Sequence, residues 1–113
     1  MVRKSFISKP KPRKLVVTQK FKDDFLLFAN YTSYVFGRNV ADTFVLNVNK
    51  EIAKLLIFPD ANPKCKYKIS TDKKTYRIIK INEVLILYSV TKTIIKIICI
   101  YHSHTDPGTI SKL

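Results

Sequence analysis

The hydrophobic positions of the chain change period twice, and the changes mark out its elements. Lys14–Thr18 (KLVVT) is a short β-prone run that predicts a strand. Phe21, Phe25, Phe28, Thr32 and Val35 then recur at spacings of three and four, with Lys22, Asp23, Asn30 and Ser33 falling elsewhere. That is the apolar stripe of an amphipathic helix. Gly37 follows it and can supply a left-handed C-cap. Asn39, with Asp42 three positions on, resembles a capping box that opens a second helix. Its stripe runs through Ala41, Phe44, Val45, Val48, Ile52, Leu55 and Leu56, and Pro59 stops it. So few residues separate the two helices that they should pair as an antiparallel hairpin.

Beyond Pro59 the pattern is lost in a lysine-rich stretch broken by Pro63, with room for one short strand around Lys66–Ile69. Three β-rich runs then follow: Tyr76–Ile81, Val84–Val90 and Thr93–His102. Asn82-Glu83 and Thr91-Lys92 join them and are short enough for tight hairpins. TIIKIICIYH is almost continuously apolar, as a central strand covered on both faces should be. The expected fold class is α+β: an N-terminal strand, an antiparallel two-helix hairpin, and a three-stranded antiparallel meander forming one sheet with the first strand. The helix hairpin must cover one face of that sheet. Domain organisation reads as a basic arm over 1–13, one domain over 14–107 and a polar tail over 108–113.

Charge changes the picture more than composition does. The 113 residues hold 21 Lys and Arg against 8 Asp and Glu, a formal net charge of +13. The excess sits in two blocks, residues 1–22 and 64–80, with a near-neutral stretch between them. Such a surplus points to a polyanion, the ribosome or an acidic protein as partner. At 46% hydrophobic the chain is too apolar to be disordered throughout, and no apolar run approaches the ~18 residues that span a bilayer. No apolar h-region follows the basic N-terminus, so a cytoplasmic protein is expected. Cys65 and Cys99 form no CxxC pattern and read as free thiols.

Enzyme motifs are mostly absent, because two glycines cannot make a phosphate loop and neither GxSxG nor HExxH occurs. Candidate chemistry gathers at the end of the last strand, in His102-Ser103-His104-Thr105-Asp106, together with Arg77, Lys80 and Lys96. If regular strand geometry holds, His102 and His104 face the same side as Lys96. An imidazole titrating near pH ~6.5 beside cations could move protons in phosphodiester cleavage, with Arg77 holding the phosphate. Lys66, Lys68, Lys73, Lys74, Lys80 and Lys96 are the candidate nucleic-acid contacts. The His102-x-His104 pair has no third ligand at a sensible spacing, so neither a metal nor another cofactor is expected. The bland alternatives are a salt bridge from Arg77 to Glu83 or Asp72, two hydrogen-bonded histidines at a strand end, and Tyr88 in core packing.

The segments YTSYVFGRNVADTF, LLIFP, YRIIKINEVLILYSV and TIIKIICIYHSHTDP together resemble the RelE/ParE superfamily of toxins from bacterial type II toxin–antitoxin systems. The resemblance runs from about Lys14 to Pro107. Its most specific parts are Tyr76-Arg77, Ile86-Leu87-Tyr88, and His102 followed by Asp106. It implies a growth-inhibiting toxin held in a hetero-oligomer by a cognate antitoxin, which should be acidic and partly disordered. RelE-like members cut mRNA on the ribosome, whereas ParE-like members poison DNA gyrase and need no hydrolytic site. Arg77 falls on the superfamily's frequent arginine and His102 on its strand-end histidine. ParE-type endings place arginine just before the aspartate; here Thr105 stands there, and His104 one position earlier. The long helix hairpin suits the ParE branch, while the charge and the two histidines suit an RNA cutter; on the strength of the charge, mRNA cleavage on the ribosome is the expected activity and gyrase inhibition the alternative.

Overall fold

The structure, a computed structural model, describes residues 13–65 and 75–103. Six elements follow in order: β1 (Lys14–Val17), α1 (Gln19–Phe36), α2 (Arg38–Lys54), β2 (Thr75–Ile81), β3 (Val84–Val90) and β4 (Ile94–His102). They form the α+β arrangement expected from the sequence, with one four-stranded sheet in the order β1-β4-β3-β2. The meander β2–β3–β4 is antiparallel, and β1 lies parallel to β4. The helix hairpin crosses over the sheet from β1 to β2 at the opposite edge, and the meander then brings β4 back beside β1 as its parallel partner. The short strand expected around Lys66–Ile69 lies outside the described residues.

Thr18 starts α1. Its Oγ1 accepts the Phe21 N–H at 3.1 Å, and the same hydroxyl donates to the carbonyl of Ile98. Gly37 separates the two helices alone, at φ 96° and ψ 163°, a conformation that in practice only glycine adopts. Its N–H bonds the Ser33 carbonyl and its own carbonyl accepts the Ala41 N–H. The expected capping box is therefore not used. Asn39 already lies inside α2, and no side chain caps that helix because Gly37 turns the chain without one.

Helix-facing positions of the sheet (Ile79, Ile81, Ile86, Tyr88, Val90, Ile95, Ile97 and Ile100) pack with Phe21, Val48 and Leu55 into the main core. Phe25 bridges the hairpin, stacking on Phe21 at 5.6 Å and meeting Phe44 at 5.8 Å. A second, smaller cluster holds Cys65, Leu87, Cys99 and Tyr101 on the other face, and both cysteines are buried and not joined in a disulfide. β4 is central, as its apolar run predicts.

One irregularity decides where β4 aims its side chains. Leu87 pairs with Cys99 but Tyr88 pairs with Ile97, so Ile98 is an extra residue bulged out of the ladder. Thr18 satisfies the bulged residue's carbonyl. At the hairpins, Asn82 takes φ 53°, a value asparagine tolerates, and so makes a two-residue turn without glycine. The β3–β4 turn is centred one residue later than expected, on Lys92-Thr93. There the Thr91 hydroxyl accepts the Ile94 N–H at 3.0 Å.

Candidate functional site

Three places in the fold bring polar or apolar groups together in a way that could serve function. The first lies where the chain leaves α2. After Leu55, which is buried, the backbone turns back with the Phe58 N–H on the Lys54 carbonyl at 2.8 Å. Tyr88, fully buried in β3, donates its hydroxyl to the Pro59 carbonyl at 2.9 Å and accepts from Asn62 Nδ2 at 3.2 Å. Arg77, across the ladder from Tyr88, donates from Nη1 to the Asn62 carbonyl at 2.7 Å, and its Nε lies 3.6 Å from Asp60. Lys64 forms a bridge with Arg77, and the Cys65 N–H bonds the Tyr76 carbonyl. Together with the Ile78 N–H on the Pro63 carbonyl at 3.0 Å, these contacts tether residues 59–65 to the sheet. Burial pushes the Tyr88 phenol above its ordinary pKa. The Asn62 hydrogen bond and the Arg77 charge oppose this, and the Asp60 charge adds to it. The hydroxyl is consequently a donor at neutral pH.

The second place is a cleft of about 560 Å³ at the Gly37 end of the molecule. Val35 of the expected stripe is exposed at this end, together with Phe36 and Val40. Phe36, Val40, Phe44, Ile81 and Val84 line the cleft, with Asn82 and Glu83 at its rim. The third place is the outer face of the sheet. Lys80 and Lys96 lie there, and Lys96 joins Val16, Ser89, Thr91 and Ile94 around a depression of about 210 Å³.

The sequence-predicted residues are spread over these places. Arg77 belongs to the first, and its side chain is only 14% exposed. Its ion-pair partner is Asp60, and Asp72 lies outside the described residues. His102 pairs with Val84 at the far end of β4, on the helix-facing side and beside the cleft. Regular alternation would put His102 and Lys96 on one side; the bulge at Ile98 reverses the parity between them and sends them to opposite faces. Arg77 and His102 are four residues apart along β3 and two strands apart across the sheet, so their backbones are separated by about 16 Å. His104, Lys66, Lys68, Lys73 and Lys74 lie outside the described residues. Asp60 and Asn62, which hold Arg77, carry no sequence signal beyond a turn-prone Pro-Asp-Ala-Asn-Pro run.

Among the described residues, no group of three His, Cys, Asp or Glu is placed to hold a metal ion. No described helix is long and apolar enough to cross a membrane.

A strand, a helix hairpin and an antiparallel meander, with the first strand laid parallel to the last, define a small α+β protein of the RelE/ParE type. The sequence matches the family of the ParE toxin of type II toxin–antitoxin systems, parDE, over residues 15–107. The chain therefore belongs to the ParE toxin family. Among solved structures it is similar to a chain of the chromosomal ParDE toxin–antitoxin system from P. aeruginosa, with a TM-score of 0.62 at 15% identity, covering 80% of this chain and 95% of that one. Among curated proteins no sequence match is found.

Proposed function

We propose that this ParE-family toxin arrests growth by binding DNA gyrase through its protein surface, not by cutting RNA, and that a cognate antitoxin neutralises it. The observation that carries this reading is the dispersal of the candidate catalytic groups. A general acid or base must come within hydrogen-bond reach of the proton it moves, with the phosphate-holding group beside it. Arg77 and His102 are about 16 Å apart along the sheet, and Arg77 is engaged by Asn62 and Asp60 under the 59–65 connection. Family membership favours the same branch.

The antitoxin is an acidic, partly disordered protein whose helical segment fits the concave cleft lined by Phe36, Val40 and Phe44. That mode of recognition lays an apolar stripe into a groove, and the +13 charge of the toxin supplies attraction to an acidic chain. Toxin and antitoxin form a hetero-oligomer. The test is induction of the toxin in a bacterium, alone and with its antitoxin, with mRNA 5′ ends and plasmid topology followed together. The expected result is arrest with unchanged mRNA ends and altered supercoiling, relieved by the antitoxin. New mRNA ends that disappear in a His102→Ala variant would overturn it and restore the ribonuclease reading.

A further inference from the structure

Just after α2 the chain exposes three large apolar side chains in a row: Leu56 at 45%, Ile57 at 70% and Phe58 at 62% exposure. Isolated exposed apolar residues are ordinary, but a contiguous trio on a convex turn is a surface awaiting a partner. This turn is also held rigidly. The Phe58 N–H is bonded to Lys54, the Phe58 carbonyl accepts the Ala61 N–H at 3.3 Å, and Pro59 is gripped from below by Tyr88. Asn62, Arg77 and Asp60 fix the far side. The network thus holds in place a knob whose three side chains stay largely in solvent.

We propose that Leu56-Ile57-Phe58 is the anchor by which the toxin docks into an acid-rimmed apolar cleft on the folded protein it arrests. The proposal rests on the reading above, that arrest is achieved by protein contact. Shape selects the occupant. A disordered segment that folds on binding brings its own anchors and needs a groove, which the cleft at the Gly37 end provides. A convex, preorganised knob needs a pocket already built on a folded partner, and a rigid aromatic anchor loses little entropy on insertion. Charge selects the rim. The two nearby acids are engaged within the chain, Glu51 with Lys54 at 2.9 Å and Asp60 with Arg77 at 3.6 Å. Lys50 and Lys64, both exposed and close to the knob along the chain, then leave its surroundings positive, which favours an acidic surface and disfavours a basic one.

The test is the double variant Ile57→Asp/Phe58→Asp, with Phe58→Ser as a milder second variant, each made in the full chain. Both sites are exposed, so thermal melting and co-purification with the antitoxin should match wild type. Growth arrest should be lost, and half-inhibition of gyrase supercoiling should need about tenfold more protein or higher, the loss of a hot-spot anchor. Arrest and inhibition at wild-type levels in the double variant would overturn the proposal. So would loss of antitoxin capture with arrest retained, which would assign the knob to the antitoxin. If wild type arrests cells without affecting gyrase and the double variant does not arrest them, the gyrase reading fails and the knob stands. If wild type and variant inhibit gyrase alike, the knob fails and the gyrase reading stands.

Discussion

Tyr88 shows how one hydroxyl organises a segment distant in sequence. Its ring fills the core while its oxygen reaches Pro59 and Asn62, so a Tyr88→Phe change leaves the packing intact and orphans a buried carbonyl. A loss of about 1–2 kcal/mol in urea unfolding is expected. The pH dependence has a definite sign. The folded phenol is held above its ordinary pKa of about 10, so above that pH the unfolded chain releases a proton that the folded chain keeps. The advantage of wild type over Tyr88→Phe should therefore be constant at neutral pH and shrink as pH rises past about 10; an advantage that grows there would contradict the burial described. Arg77→Ala should cost about 1–3 kcal/mol by leaving the Asn62 carbonyl without its donor, as read by denaturant midpoint. The sequence allowed Arg77 either a salt bridge or a phosphate, and it correctly weighted Tyr88 toward packing. It could not supply the actual partners, because Asp60 and Asn62 approach Arg77 only once the chain has turned after α2.

At the level of elements, helices and strands were legible because their apolar periods are strong and their breaks are glycine, proline or asparagine. The bulge at Ile98 was not. Within TIIKIICIYH nearly every residue is apolar, so no alternation shows where the parity reverses, and the reversal is what separates His102 from Lys96. The same bulge explains why Thr18 is doubly engaged, capping α1 and satisfying the Ile98 carbonyl. Thr18→Ala should cost more than the ~1 kcal/mol of an ordinary cap, whereas Thr18→Ser should restore most of it in thermal unfolding. Gly37 is a different case. Nothing lies within 4 Å of a Cβ placed there, so a Gly37→Ala penalty would be purely one of backbone conformation. About 1–3 kcal/mol is expected from the positive φ, and a neutral effect on melting would show that the helix junction relaxes.

For the whole molecule, the class and the membership of the first strand in the sheet could be read in advance, but its place beside β4 could not. Nor could the cleft be foreseen. It forms between the Gly37 end of the helix hairpin and the β2–β3 turn, segments that are far apart in sequence and meet only in the packed fold. Among the described residues, the apolar cleft at Gly37 and the exposed apolar trio after α2 lie at opposite ends of α2. The proposed division of labour gives the first to the antitoxin and the second to the target. The most direct test of that account is supercoiling by purified DNA gyrase, titrated with the purified toxin and then with its antitoxin. Dose-dependent inhibition that the antitoxin reverses is the predicted result. Full gyrase activity in the presence of a toxin preparation that cleaves mRNA on ribosomes would contradict it.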